Sequence, residues 1–228
     1  MAEKIIKNYA GKIYINGDNK IIKTRPFSET VIQNGLQFWG AADPAYLTLV
    51  NGLISEAYDI RGTGQKLIQN TVVNRPTFID NCFFIDASKL NYLISNSSYI
   101  IKEMFIVLQY SASTGNVVFT GIGTTTNVLG SINEAERHRI NDTPSAFYKN
   151  LNIISVDATY TTSFQIKHSI GGSYNFNSAF NFNVGCFFGT MGAGKTIKIK
   201  EFGVYNRVLN ITERLYNINA LNAKYSIF

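Results

Sequence analysis

Between Tyr174 and Phe188 the sequence alternates with period two. Tyr174, Phe176, Phe180, Phe182, Val184, Cys186 and Phe188 all fall on even positions, with small or polar residues between most of them. A helix would scatter these side chains around its axis, whereas a strand puts them on one face. The spacing predicts strand, divided into two near Asn177 and Ser178. "EMFIVLQY" (Glu103 to Tyr110) is a continuous apolar run of strand length, which predicts a central strand covered on both faces. "NVVFTGIG", "NLNIISVDATY" and "SFQIKHSI" read as further strands, and "KIYINGDNKIIKT" as an N-terminal hairpin turning at "NGD".

Tyr, Phe, Asn and Ile are abundant while Ala, Glu and Leu are sparse, a bias toward strands. One helix is expected near the C-terminus. Asn210 caps it, Glu213 bonds back to the cap, and Ile211, Leu215, Ile218 and Leu221 follow at helical spacing. "SINEAERHRIND" fits either a helical turn or a loop. Many short strands with turn signals between them predict an all-β, two-sheet antiparallel jelly-roll sandwich. A short C-terminal helix and an N-terminal β extension complete it. The "TRPFSET" link places a boundary near Gly35, so residues 1–34 are read as the extension and 35–228 as the sandwich.

One motif argues for something else. "GTMGAGKT" (Gly189 to Thr196) satisfies the G-x-x-x-x-G-K-[ST] pattern of a phosphate-cradling loop. That chemistry needs a helix to start at the loop, so that its N-terminal amides surround the phosphates. Here "IKIKEFGVY" follows, with Ile197 and Ile199 alternating with Lys198 and Lys200. The alternation predicts a strand, which makes the motif a glycine-rich strand-to-strand turn.

Other chemistry finds little footing. Glu134 and Glu136 form a close carboxylate pair, but Arg137 and Arg139 sit beside them, and charge pairing is the simpler role. Glycoside hydrolysis requires two placed carboxylates. His138 and His168 are far apart, with His168 expected beside a turn, and neither a catalytic triad nor a metal-ligand spacing is present. No catalytic or metal residue is assigned and no cofactor is expected, with calcium left open. Cys82 and Cys186 read first as buried thiols, and a disulfide between them stays open. The opening "MAEKIIKNYA" lacks a secretory pattern, and no run of about 18 apolar residues predicts a membrane span. Of the net charge of +6, residues 1–25 carry +4, from six Lys and Arg against Glu3 and Asp18. No basic stripe with interleaved aromatics accompanies them, so nucleic acid is not an expected partner. The basic arm suits docking on an acidic neighbour.

Two stretches carry a resemblance. The first, Leu36 to Phe78, holds Trp39, Asp43, an apolar run over Leu47 to Leu53, Asp59 in a turn with Gly62 and Gly64, Gln69, and Arg75-Pro76. The second, Lys198 to Phe228, holds Glu201, Tyr205-Asn206-Arg207, Asn210 to Glu213, and Lys224-Tyr225. Together they resemble the opening and closing of concanavalin A-like, laminin-G-like domains of phage virion proteins and bacterial surface proteins. The likeness covers about 190 residues, from Gly35 onward. It departs at Tyr58, where the family usually has Trp, and at "RGTG", where the family has Ser-Gly-Asn-Gly. Asp59, Arg75, Glu201, Tyr205 and Arg207 take structural roles: Asp59 bonds its own turn, and Tyr205 with the final helix closes one side.

The resemblance implies a non-enzymatic virion or surface decoration module with carbohydrate-binding capability. Its N-terminal segment would join it to other assembly proteins, in a homo-oligomer, on a virion or a bacterial cell surface. A free glycan-binding lectin is the second reading and a glycosidase the third. The polar stretch with His138, Arg139, Asp142 and Tyr148 is the expected glycan surface.

Overall fold

Short β-branched and aromatic runs, separated by Asn, Asp and Gly, give a mostly β chain with an antiparallel curled sheet and one C-terminal helix. The computed structural model describes residues 14–15, 21–22, 31–86, 89–110, 118–121, 128–132, 138–139, 146–149, 152–154, 163–170, 181–185 and 196–228. The first strands are β1 (Tyr14–Ile15), β2 (Ile21–Ile22), β3 (Leu36–Ala41), β4 (Leu47–Val50), β5 (Leu53–Tyr58) and β6 (Lys66–Ile68). Next come β7 (Thr77–Ile79), β8 (Cys82–Asp86), β9 (Tyr92–Ser95), β10 (Glu103–Tyr110), β11 (Val118–Gly121) and β12 (Val128–Ile132). The last are β13 (His138–Arg139), β14 (Ala146–Lys149), β15 (Asn152–Ile154), β16 (Gln165–Ile170), β17 (Phe182–Gly185) and β18 (Thr196–Tyr205), followed by helix α1 (Ile211–Tyr225).

β1 and β2 pair as the expected hairpin, Tyr14 opposite Ile22 and Ile15 opposite Ile21. The large sheet runs β13-β12-β11-β17-β9-β6-β5-β7-β8-β18-β10-β16-β14-β15, with β3 added on β18 and β4 on β5. Between β5 and β7 the ladder narrows to Leu53 opposite Thr77. Two tight hairpins bracket this neck. Asn51 and Gly52 turn β4 into β5, both with positive φ, and Asp80 and Asn81 do the same between β7 and β8. Asn-Gly and paired Asx residues accept that backbone readily, which is why they stand there.

Two apolar clusters form on opposite faces of β10. Met104, Ile106 and Leu108 join Phe38, Phe83, Leu93, Phe182, Ile199 and Phe202 in the cluster around which the sheet curls. Phe105 and Val107 join Trp39, Tyr205, Ile218 and Leu221 beneath the helix. The continuous apolar run therefore lies covered on both sides, as its composition predicts. Phe38 stacks on Phe202 at 5.9 Å and meets Phe182 and Tyr99 edge-on. Each such buried ring contributes about 1.5–3 kcal/mol through burial.

β18 changes face part-way. Its pairing with β10 steps from Leu108 opposite Ile199 to Val107 opposite Glu201, so Lys200 is an extra residue in a β-bulge. Before the bulge Ile197 and Ile199 face the first cluster, and after it Phe202 and Val204 do. Glu201 and Tyr205 thereby turn toward the helix.

As the alternation of Ile197 and Ile199 predicts, Thr196 opens a strand and not a helix, so the context a phosphate loop requires is missing; Gly189 to Lys195 lie outside the described residues. Several expectations change. In β17 Asn183 is as buried as its apolar neighbours, so this strand is covered on both faces and the polar-out half of the alternation does not hold. The remainder of that alternation, 174–180, together with Cys186, lies outside the described residues. His168 stands within β16, opposite Phe105 and Tyr148, and the Gly171-Gly172 pair that suggested a turn beside it lies outside the described residues. On α1, Ile211 and Leu215 are exposed, and the core face is Asn217, Ile218 and Leu221. Counting only apolar residues misplaces this face, because a buried polar side chain occupies its centre. Cys82 is a buried free thiol.

Gly203 faces the Trp39 ring so closely that a Cβ would lie 2.0 Å from its Cε3. Gly203→Ala is expected to destabilise the fold by at least about 1–3 kcal/mol in urea or thermal unfolding. Val73→Ala, at an exposed turn, is the control and stays within about 0.5 kcal/mol.

Candidate functional site

An antiparallel sheet leaves its last strand with unpaired amides and carbonyls, and β3 is such a strand beside β18. The turn after β5 covers it. Asp59 is buried and accepts from the Arg61 amide at 3.1 Å, from the Arg61 guanidinium at 2.9 Å and from the Thr63 hydroxyl at 2.9 Å. Arg61 then donates to the carbonyls of Leu36, at 2.7 Å, and Gln37, and the Ile60 amide donates to the Trp39 carbonyl at 3.0 Å. The expected turn-bonding role of Asp59 is observed, and the cation it holds also seals an edge. Arg75 leaves its turn in extended backbone and donates to the Gln69 carbonyl at 2.9 Å, which holds the loop that it closes.

The helix face is held by carboxylates. Glu201, buried on β18, accepts from the Trp39 indole at 2.5 Å, from Lys224 at 2.5 Å and from the Tyr225 hydroxyl. Burial, then the charge and hydrogen bond of Glu201, push the Tyr225 phenol far up. Lys200 lies over the rings of Phe164 at 4.5 Å and Tyr225 at 5.2 Å. Glu103 accepts from the Leu209 amide at 2.6 Å and from Arg214 at 3.1 Å. Tyr205 donates to the Ile32 carbonyl at 2.9 Å and accepts from Asn217, whose Oδ1 takes the Ile32 amide at 2.8 Å. Burial pushes the Tyr205 phenol up as well. Arg207 pairs through both terminal nitrogens with Glu213 and donates to the Asn34 carbonyl at 3.0 Å. Gly35, with positive φ, leaves the space that Arg207 fills. Glu213 also completes the expected capping box with Asn210. Its carboxyl is held at about 2, first by the Arg207 hydrogen bond and then by the Asn210 amide.

The expected glycan residues are not joined by any described pairing. His138 and Arg139 form β13 at one end of the strand order, and Tyr148 lies on β14 near the other end. Asp142 lies outside the described residues, as do Glu134 and Glu136. Among the described residues no group of three His, Cys, Asp or Glu is placed to hold a metal ion, and no helix is long and apolar enough to cross a membrane.

A different cluster occupies the face of β4, β5 and β6 turned away from the first apolar cluster. Strand register sets Thr48 beside Glu56, and Tyr58 beside Lys66. Ala57, between them on β5, points into the core. Thr48 donates to Glu56 Oε2 at 3.0 Å and Tyr58 to the same oxygen at 2.5 Å. Lys66 donates to Oε1 and lies 5.6 Å over the Tyr58 ring. Burial raises the Glu56 carboxyl, but the hydrogen bonds from Lys66, Tyr58 and Thr48 outweigh it and leave Glu56 below its ordinary value. All four side chains remain partly open to solvent. The residues sit on three strands with no local motif, so reading along the chain misses them; only cross-strand register reveals them.

No protein-family model matches the chain, and comparison with curated proteins gives no match. Among solved structures, the chain is similar to a crystallised HCR/D point mutant, with a TM-score of 0.48 and 10% identity over 83% of this chain and 52% of that one. It is also similar to the receptor binding domain of botulinum neurotoxin C/D mosaic serotype, with a TM-score of 0.45 and 11% identity over 84% and 52%. A third is the Trypanosoma rangeli sialidase, with a TM-score of 0.44 and 10% identity over 85% and 34%. The chain thus spans about half or less of the length of each.

Glu201→Ala leaves Lys224, the Trp39 indole and the Tyr225 hydroxyl without their shared acceptor. It is expected to cost about 3–5 kcal/mol, read as loss of the helical signal at lower urea. Glu213 gives a pH test. Its folded value lies below the ordinary 4.5, so its contribution is present above about 4.5 and is lost as pH falls toward about 2. Helix-monitored stability is expected to fall across that window, and Glu213→Gln to flatten the fall.

Proposed function

We propose that this chain is a non-enzymatic module of a virion or bacterial surface assembly, built as a two-layer jelly-roll sandwich and able to bind carbohydrate. The observation that carries the non-enzymatic part of this reading is how the buried carboxylates are used. Asp59, Glu103 and Glu201 each have their oxygens occupied by the protein's own donors, and each ties an edge or the helix in place. A carboxylate so enclosed has no path to a glycosidic oxygen, and hydrolysis needs two that face the substrate. The partly open Glu56 is one carboxylate without a described second beside it. The resemblance of Leu36 to Phe78 and Lys198 to Phe228 to laminin-G-like domains supports the same reading, as does the concentration of basic residues within 1–25.

Docking to the assembly falls to that segment. Val31 is buried, and the backbone of Ile32 is bonded to Asn217 and Tyr205, so an informative deletion stops at residue 30. Removing residues 1–30 is expected to abolish incorporation into particles while the thermal midpoint stays near that of the full chain. Incorporation without the segment would favour a free lectin or a different anchor. On a glycan array the full chain is expected to bind, and with polysaccharide substrates it is expected to release no reducing sugar. Turnover that disappears in Glu134→Gln would establish the glycosidase instead.

A further inference from the structure

The cluster of Thr48, Glu56, Tyr58 and Lys66 is more organised than an exposed sheet face requires. A solvent-facing Lys–Glu pair contributes about 0–1 kcal/mol, and one partner suffices for it. Here three donors converge on one carboxylate, and the Tyr58 ring is fixed in position by its own hydroxyl. An aromatic plane held beside committed polar groups loses little freedom when a ligand settles on it.

The remaining hydrogen-bond capacity is specific. Glu56 Oε2 accepts from both Thr48 and Tyr58, which fills it. Oε1 accepts only Lys66 in this network and keeps one acceptor position, while the ammonium spends one of its three donors there. An acceptor and a donor thus stand side by side next to a ring face. That pairing fits two vicinal hydroxyls, one donating to Oε1 and its neighbour accepting from Nζ. Within the cluster the carboxylate and ammonium cancel, which favours a neutral ligand there over an ionic one.

Resting on the carbohydrate-binding reading above, we propose that this face binds a neutral hexopyranose. The apolar C–H side of the sugar packs on Tyr58, and a vicinal diol bridges Glu56 and Lys66. The site lies on β5 and β6 and is distinct from the stretch holding His138, Arg139 and Tyr148.

The full chain is tested on a printed array of glucose-, galactose- and mannose-terminated glycans alongside sialylated and sulfated ones. Binding to at least one neutral class is expected. Tyr58→Ala and Lys66→Met should each weaken it by about tenfold or more, as loss of a central contact does. Tyr58→Phe keeps the ring but loses the hydroxyl that fixes it, and should weaken binding less than Tyr58→Ala does. Thermal midpoints close to the parent show that the variants fold, and Lys66→Met, which retains the apolar stem, serves if Tyr58→Ala does not. Neutral-glycan binding unchanged in both variants overturns the site while leaving the carbohydrate-binding reading intact. Binding only to sialylated or sulfated glycans overturns the neutral ligand class. No binding to any glycan on the array overturns that reading and the site with it.

Discussion

The rest of the described structure hangs on the Glu201 carboxylate. A buried charge costs several kcal/mol unless partners surround it. Those partners here come from two other elements, Trp39 on β3 and Lys224 with Tyr225 on α1. Satisfying one carboxylate therefore fixes a strand and a helix on β18 together. The bulge at Lys200 makes this possible, because without the extra residue Glu201 would face the apolar cluster inside the curl. Glu103 and the Tyr205–Asn217–Ile32 bonds repeat the device along the same helix face. The helix is held by these polar partners as well as by Ile218 and Leu221.

The Asp59 turn solves a second problem with the same economy. One carboxylate orients Arg61, and Arg61 covers two carbonyls at the edge of β3, where another strand would otherwise pair. Among the described residues the carboxylates divide accordingly. Those inside are consumed by the fold, and the half-open Glu56 keeps capacity for a partner.

Much of the framework is legible along the chain. "EMFIVLQY" is β10 to the residue, Asn210 and Glu213 form their box, and the strand after "GTMGAGKT" removes the nucleotide reading. These signals are local, so neighbours in sequence carry them. Asn51-Gly52 is a further local signal, a hairpin turn that the strand-by-strand reading passes over. Asn183 and Asn217 are not legible in this way. An asparagine reads as surface until another element supplies its partners, and Ile211 and Leu215 read as core until the helix is seen to face elsewhere. The Glu56 cluster escapes for the same reason, since Thr48 and Lys66 reach it only through register.

By itself the sequence determined the strand-rich class, the double burial of β10, the start of the single helix among the described residues, and the turn at Asp59. Each follows from periodicity, apolar content or a side chain bonding its own backbone, all of which act within a few residues. Tertiary structure alone decided which polar side chains are buried, which face of α1 meets the sheet, and where a carboxylate, a ring and an ammonium meet on the surface. The physical reason is that burying a polar group is favourable only when a partner is already in place. Here the partners lie up to 185 residues away, as Ile32 does from Asn217.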